Sequence, residues 1–173
     1  MYIPKPLEYL DSEDIQYQLI PHQTSYTALA TASLARIPDN LLTKVVVVQA
    51  DNKLAMVLIP ANCCIDLHSL ATHVGAQHIT LVPEDELGHL FPDCELGAMP
   101  PFGNLYGMKV WIANELFQRF EITFNAGNHH QLIKMNTVDF CNLVQAVAIS
   151  KGYHRMNSSI LIRESSSRPW HWI

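Results

Sequence analysis

The stretch TKVVVVQADNKLAMVLIP, residues 43–60, limits the possible fold more than any other part of the chain. Its four successive valines lose side-chain freedom in a helix but pack well on a pleated surface, so residues 44–50 read as a buried strand. ADNK supplies the turn and LAMVLIP the return strand, which together make a hairpin. The rest of the chain changes period from segment to segment. IQYQLIPH (15–22) alternates like a strand, and SYTALATASLAR (25–36) is an alanine-rich helix closed by Pro38. DLHSLATHVG (66–75) sets Leu67, Leu70, Ala71 and Val74 on one helical face and ends at Gly75. HITLV (78–82) is a short strand, and PEDELGHLF (83–91) opens with a proline and acids, as a helix does. MKVWIA (108–113) reads as a strand and NELFQRF (114–120) as a short helix or turn. EITFNAG (121–127) and HQLIKM (130–135) are strands on either side of a glycine-containing bend. Asn136 or Thr137 caps a helix striped by Phe140, Leu143, Val144 and Val147 and stopped by Gly152. The end, SSILIRESSSRPWHWI, holds one strand in a polar segment. Hairpins interrupt any strict β-α-β repeat. The pattern therefore predicts a single α/β domain around a curved, mixed sheet. Residues 1–14 form a lead-in, 15–150 the domain and 151–173 a basic tail.

Charge and cysteine use narrow the function classes. A net charge of −5 works against coating nucleic acid, because phosphate contacts need Lys and Arg. The tail is the exception: Lys151, Arg155, Arg163 and Arg168 face Glu164 alone, a pointer to a polyanionic partner. No apolar run approaches the roughly 20 residues of a bilayer span, and MYIPKPLEYLDSEDI lacks the apolar region of a secretory signal. The expectation is a cytoplasmic protein with no membrane partner. Cys63 and Cys64 are adjacent while Cys94 and Cys141 stand alone, so no C-x-x-C pair or zinc spacing exists and reduced, partly buried thiols are expected. His68 and His73 are five apart, off one helical face, and His129 and His130 point opposite ways in an extended chain. No metal and no cofactor is expected. G-x-S-x-G, the Walker loop, H-E-x-x-H and G-x-G-x-x-G are all missing.

Three segments remain. Lys44 opens the most apolar strand, GAMPPFGNL (97–105) puts two prolines between two glycines, and FNAGNHH (124–130) forms a bend. Separately these are a snorkelling lysine, a turn and a hairpin. In this order, with His22, IPANCCIDLHSLATHVGAQ and IKMNTVDF, they resemble the YbaK/EbsC family, the editing fold related to the insertion domain of bacterial prolyl-tRNA synthetase. The resemblance spans residues 15–147. It implies a mixed, curved, barrel-like sheet surrounded by helices. It also implies hydrolysis of mischarged aminoacyl-tRNA, in particular tRNA(Pro) carrying a small amino acid.

The resemblance gives each residue a role. The ester is already activated, so water must be positioned and an oxyanion stabilised, which backbone N–H groups in a fixed loop can do. Gly97 allows close approach, and Pro100 and Pro101 stiffen the loop, so that Ala98, Met99 and their neighbours offer main-chain groups. Lys44 supplies a fixed positive charge. His129 orients the ammonium group or the water, with His130 as its competitor, while Asn125 and Gly127 shape the bend. His22 matches an early family histidine or satisfies a strand end. Met99, Phe102, Ala28 and Ala32 line a pocket that selects by size, and Val45 offers no polar handle. Either the chain reads the tRNA acceptor end, helped by the tail, or prolyl-tRNA synthetase or an elongation factor delivers the substrate. Two rivals stand beside this reading. One is a non-catalytic module on the same fold that binds a small molecule or nucleotide. The other is an interaction module acting through the tail, where Trp170 and Trp172 could stack on a base.

Overall fold

In the computed structural model, residue 3 and residues 5–156 are described. The strand expected in SSILIRESSSRPWHWI and the tail residues Arg163, Arg168, Trp170 and Trp172 lie outside the described residues.

The valine-rich hairpin forms as expected. Strands β2 (Thr43–Ala50) and β3 (Lys53–Pro60) pair antiparallel with Ala50 opposite Lys53, leaving only Asp51 and Asn52 in the turn. Asp51 adopts a left-handed φ of 53°, and its Oδ1 accepts the N–H groups of Gln77 and His78 at 3.0 and 2.9 Å. That carboxylate fastens the hairpin tip to the start of β5 (Ile79–Leu81), which pairs antiparallel with β2. On the other side β6 (Lys109–Ala113) runs parallel to β3, and β9 (Val147–Ile149) runs parallel to β6. A parallel step needs a long crossover. Helices α3 (Leu67–Val74) and α4 (Glu84–Leu90) lie within the one between β3 and β6. The result is a five-stranded mixed sheet in the order β5-β2-β3-β6-β9.

A second sheet, antiparallel in the order β1-β8-β7, contains β1 (Tyr17–Pro21), β7 (Glu121–Asn125) and β8 (Gln131–Asn136). A small ladder pairs β4 (Cys63–Ile65) with β10 (Tyr153–Arg155). One parallel bridge, Leu42 with Thr123, joins the β7 sheet to the entry of β2. The domain is thus the expected mixed α/β structure. Barrel-like closure is not seen, because among the described residues the strands form three separate ladders.

The other departures have local causes. The last helix among the described residues, α6, spans only Thr137–Val144, with the Asn136 side chain capping the Asp139 N–H at 3.0 Å. Gln145 then turns left-handed, and residues 147–149 pair with the open edge of β6 instead of extending the helix. Val147 leaves the helical stripe and lies exposed. Pairing with a sheet edge overrides the modest helical propensity of QAVAI. Gly152 therefore stops no helix; it sits in the turn before β10.

The core gathers Phe102, Phe124 and Phe140, with centroids 5.5, 5.6 and 6.2 Å apart, and Tyr9 meets Phe102 edge-on at 5.5 Å. A smaller cluster of Ala32, Leu42, Ala61 and Leu132 seats α2 (Ala28–Leu34) on the β2 entry. Among the described residues no helix is long and apolar enough to cross a membrane.

Candidate functional site

The seam between the two larger sheets brings distant segments together. Lys44 and Val45 lie at the start of β2 and Asn125 ends β7. His129 sits in the bend before β8, and α2 begins beside them behind its Thr27 cap. These residues, with Tyr26, Ala28, Thr31 and Gly97, line one cavity. Its mouth included, the cavity encloses about 290 Å³, of which about 10 Å³ admits the centre of a water. That is room for roughly a single molecule. Two larger hollows lie elsewhere. On the same measure as the inner 10 Å³, one of about 650 Å³ lies beside Lys53, Lys109 and Trp111, and one of about 600 Å³ lies between the N-terminal segment and Cys94. Neither contains Lys44 or His129.

The loop at Gly97 owes its shape to one turn. The Ala98 N–H donates to the Glu95 carbonyl at 3.0 Å, and Gly97, third in that turn, takes φ 84°. A type II turn requires a positive φ at this position, which glycine adopts without strain. Beyond it Ala98, Met99, Pro100, Pro101 and Phe102 are all buried. Pro100 and Pro101 carry no N–H, so this buried stretch has two fewer donors to satisfy.

His129 is gripped from the same loop. Its backbone N–H donates to Glu95 Oε2 at 2.7 Å, and its Nε2 lies 2.7 Å from the Leu96 carbonyl oxygen. A carbonyl can only accept, so Nε2 carries a proton. The Glu95 N–H also donates to the Gly127 carbonyl, so residues 95–96 fix the bend at three points. The Tyr26 ring packs against the imidazole with centroids 4.9 Å apart.

Lys44 is only 6% exposed, at the start of the valine-rich strand β2. Its charge is felt at Cys63, whose thiol burial pushes up to about 11, with Glu115 adding and Lys44 and Arg155 opposing. Asn125 Oδ1 is buried and has no hydrogen-bond partner among the described residues, which leaves an acceptor at the cavity wall.

The structure separates the expected site residues into two groups. Lys44, Gly97, Ala28, Asn125 and His129 converge on the cavity. His130 is exposed, its N–H held by Asn128 Oδ1, and of the two only His129 lines the cavity. The others are placed differently, and these placements correct the expectation. Phe102 and Met99 belong to the main core and Ala32 to the smaller one, because their apolar side chains face packed neighbours. Ala98, Pro100 and Pro101 are buried behind Gly97 and do not line the cavity, and the Ala98 amide is already used in the turn. Gly127 faces the hollow beside Cys94 and Pro6. His22 closes a strand end, with its N–H on the His130 carbonyl and Nδ1 2.7 Å from the Gln23 carbonyl oxygen. Sequence reasoning missed Tyr26, Thr31 and Glu95. Only Glu95 carried a signal, as the first residue of an E-L-G-A turn with glycine third.

No cysteine lines the cavity. Burial pushes the Cys94 and Cys141 thiols up to about 11, as it does Cys63. A raised pKa means the proton is retained, so at pH 8 about one in a thousand of each is the reactive thiolate. Thiol titration of the native protein is expected to leave these three unmodified at pH 8 and to speed up as the pH approaches 11. Rapid labelling of all three at pH 8 would contradict their burial. Beside the hydroxyl-bearing Tyr26, Thr27 and Thr31, the cavity has room for one water, with Lys44, Gly97 and His129 in its wall.

Comparison with known proteins identifies the family and the fold. A family model for the aminoacyl-tRNA editing domain matches residues 22–143, which contain every cavity residue. The multifunctional Ser/Thr-tRNA deacylase ProXp-y of Escherichia coli (strain K12) is 33% identical over 95 residues, 54% of this chain and 56% of that protein. Its counterpart in Escherichia coli O157:H7 gives the same values. The chain thus spans about half the length of the curated relatives it matches. Among solved structures, hypothetical protein APE2540 superposes with a TM-score of 0.76 at 17% identity, covering 86% of this chain and 99% of its own. A protein described as a candidate trans-editing enzyme for prolyl tRNA synthetase gives 0.69 at 17% identity, over 83% and 91%. At such identities the shared property is the fold.

Proposed function

The chain belongs to the aminoacyl-tRNA editing domain family, and from that premise we propose that it is a deacylase. It cleaves the ester between an amino acid and the terminal ribose of a mischarged tRNA, with tRNA(Pro) carrying a small amino acid as the substrate. The observation that carries this reading is the convergence of Lys44, Gly97, Asn125 and His129 on a cavity with room for one water.

Each group has a task in the reaction. Water attacks the ester carbonyl, and negative charge develops on its oxygen. The Lys44 ammonium and the Gly97 N–H face that oxygen; preorganised donors of this kind act strongly where water is excluded. His129 Nδ1, the basic nitrogen, accepts a proton from the attacking water. The departing ribose oxygen takes that proton back from His129 as the tetrahedral adduct collapses, releasing free amino acid and tRNA. Asn125 Oδ1 accepts from the α-ammonium of the aminoacyl group. Thr31 gives the cavity a hydroxyl where the sequence suggested only apolar lining, so seryl and threonyl esters fit as well as alanyl. The curated relatives are Ser/Thr-tRNA deacylases, which favours the hydroxylated pair.

The test is deacylation of tRNA(Pro) charged with alanine, serine, threonine or cysteine. Release of serine or threonine is expected to be fastest. Gly97→Ala puts a Cβ on a residue at φ 84°, a strain of about 1–3 kcal/mol. It is expected to slow release at least tenfold while the protein stays folded. Stability of all four esters in the presence of wild-type protein would overturn the proposal.

A further inference from the structure

We infer that Tyr26 is a stacking platform for the terminal adenine base of the RNA whose ester enters the cavity. The inference rests on the deacylase reading and adds the nucleoside contact to it.

Tyr26 is 69% exposed although it lines the cavity. Exposure alone would not single it out, but the chain on both sides of it is anchored. The buried Ser25 donates its N–H to the His129 carbonyl at 3.0 Å. On the other side Thr27 Oγ1 accepts the Ala30 N–H and caps α2. The ring is braced by His129 at 4.9 Å, with planes tilted by 56°. The backbone thus presents the ring at the cavity mouth.

The size of the cavity says what must lie there. Its 290 Å³ includes the mouth, and its inner room is that of about one water. The attacking water takes the inner room and a small aminoacyl group occupies the mouth. The alcohol of the ester is a nucleoside, which is far too large to follow. Ribose and base therefore rest on the rim, and Tyr26 is the aromatic side chain on that rim. A base at a single-stranded 3′ end has an unpaired π-face, and aromatic rings are its usual seat.

The test uses the full chain and two RNA hairpins ending in CCA, each with serine joined to the terminal ribose by a non-hydrolysable amide. In the second hairpin the terminal base is deleted. Binding is followed by fluorescence anisotropy. Wild-type protein is expected to prefer the complete hairpin, and Tyr26→Ala to weaken that binding by about 5- to 150-fold. Tyr26→Phe is expected to bind within a factor of about two of wild type, since the ring and not the hydroxyl makes the contact. Tyr26→Leu keeps apolar bulk without a π-face and is expected to behave like Tyr26→Ala at an unchanged melting temperature. The base-deleted hairpin should bind wild type and Tyr26→Ala alike.

Equal binding of both hairpins by wild type would overturn the inference. So would full affinity of Tyr26→Leu, which would make the side chain a cover for some apolar partner. If wild type fails to hydrolyse any aminoacyl-tRNA, the deacylase reading falls by that result alone, while the base-dependent binding is decided by the hairpins.

Discussion

Lys44→Ala is expected to lower single-turnover deacylation by about 10²–10³-fold, the usual effect of removing one preorganised donor from a developing oxyanion. The side chain is almost wholly buried at the entry of β2, opposite Ile59 on the neighbouring strand. It is therefore delivered to the cavity by the sheet and not by a loop. Burying an ammonium costs free energy, and a chain of valines has no structural need of one at that position. Lys44→Met keeps the apolar stem and removes only the charge. It is expected to be as inactive as Lys44→Ala while the protein stays folded. Quenched-flow release of amino acid, run beside thermal unfolding, separates the two effects. Wild-type rates in either variant would remove Lys44 from the chemistry.

The largest loss of stability is expected from Gly152→Ala, far from the reaction. Gly152 has φ 99°, and a Cβ built there would lie 2.8 Å from Leu70 Cα and from Leu70 Cβ and Cδ1. Two of these three atoms are fixed by the α3 backbone, so a rotamer change cannot relieve the contact. Its carbonyl also accepts the Asp66 N–H at 2.9 Å, at the cap of α3. Backbone strain and overpacking together cost about 2–5 kcal/mol. For a chain of this size that lowers the melting temperature by roughly 4–20 °C. Calorimetry measures it directly. A shift below 2 °C would mean that α3 and the β10 turn are not pressed together as described.

Gly152 also shows where sequence reasoning failed. A glycine after an apolar stripe reads as a helix stop, but this one exists for close packing against Leu70 and for the turn into β10. Residues 147–149 had the composition of a helix end, and only the open edge of β6, set by residues more than thirty positions earlier, made them a strand. Three-residue strands such as β4 and β10 carry too little periodicity to be read. The long elements were legible because each states its own burial. The β2–β3 hairpin needed only its valines and a two-residue turn, and α3 only its stripe, Asp66 and Gly75.

The site was legible in the same uneven way. Lys44, Gly97, Asn125 and His129 could be picked out because each breaks a local rule: a charge in an apolar strand, a turn glycine, polar residues in a bend. Met99, Phe102 and Ala32 break none, and the structure uses them as core. Glu95 and Tyr26 act through contacts 34 and 103 positions away in the chain, at His129, and no local pattern announces such a pair.

The central claim is that the Lys44 ammonium and the Gly97 amide hold the carbonyl of an aminoacyl ester. A crystal structure with a non-hydrolysable amide analogue, serine joined to 3′-amino-adenosine, tests it most directly. The carbonyl oxygen should lie about 2.7–3.1 Å from both the Gly97 nitrogen and Lys44 Nζ, the spacing of an oxyanion site. An analogue bound with its carbonyl away from both groups, for instance in the hollow beside Lys109 and Trp111, would contradict the account.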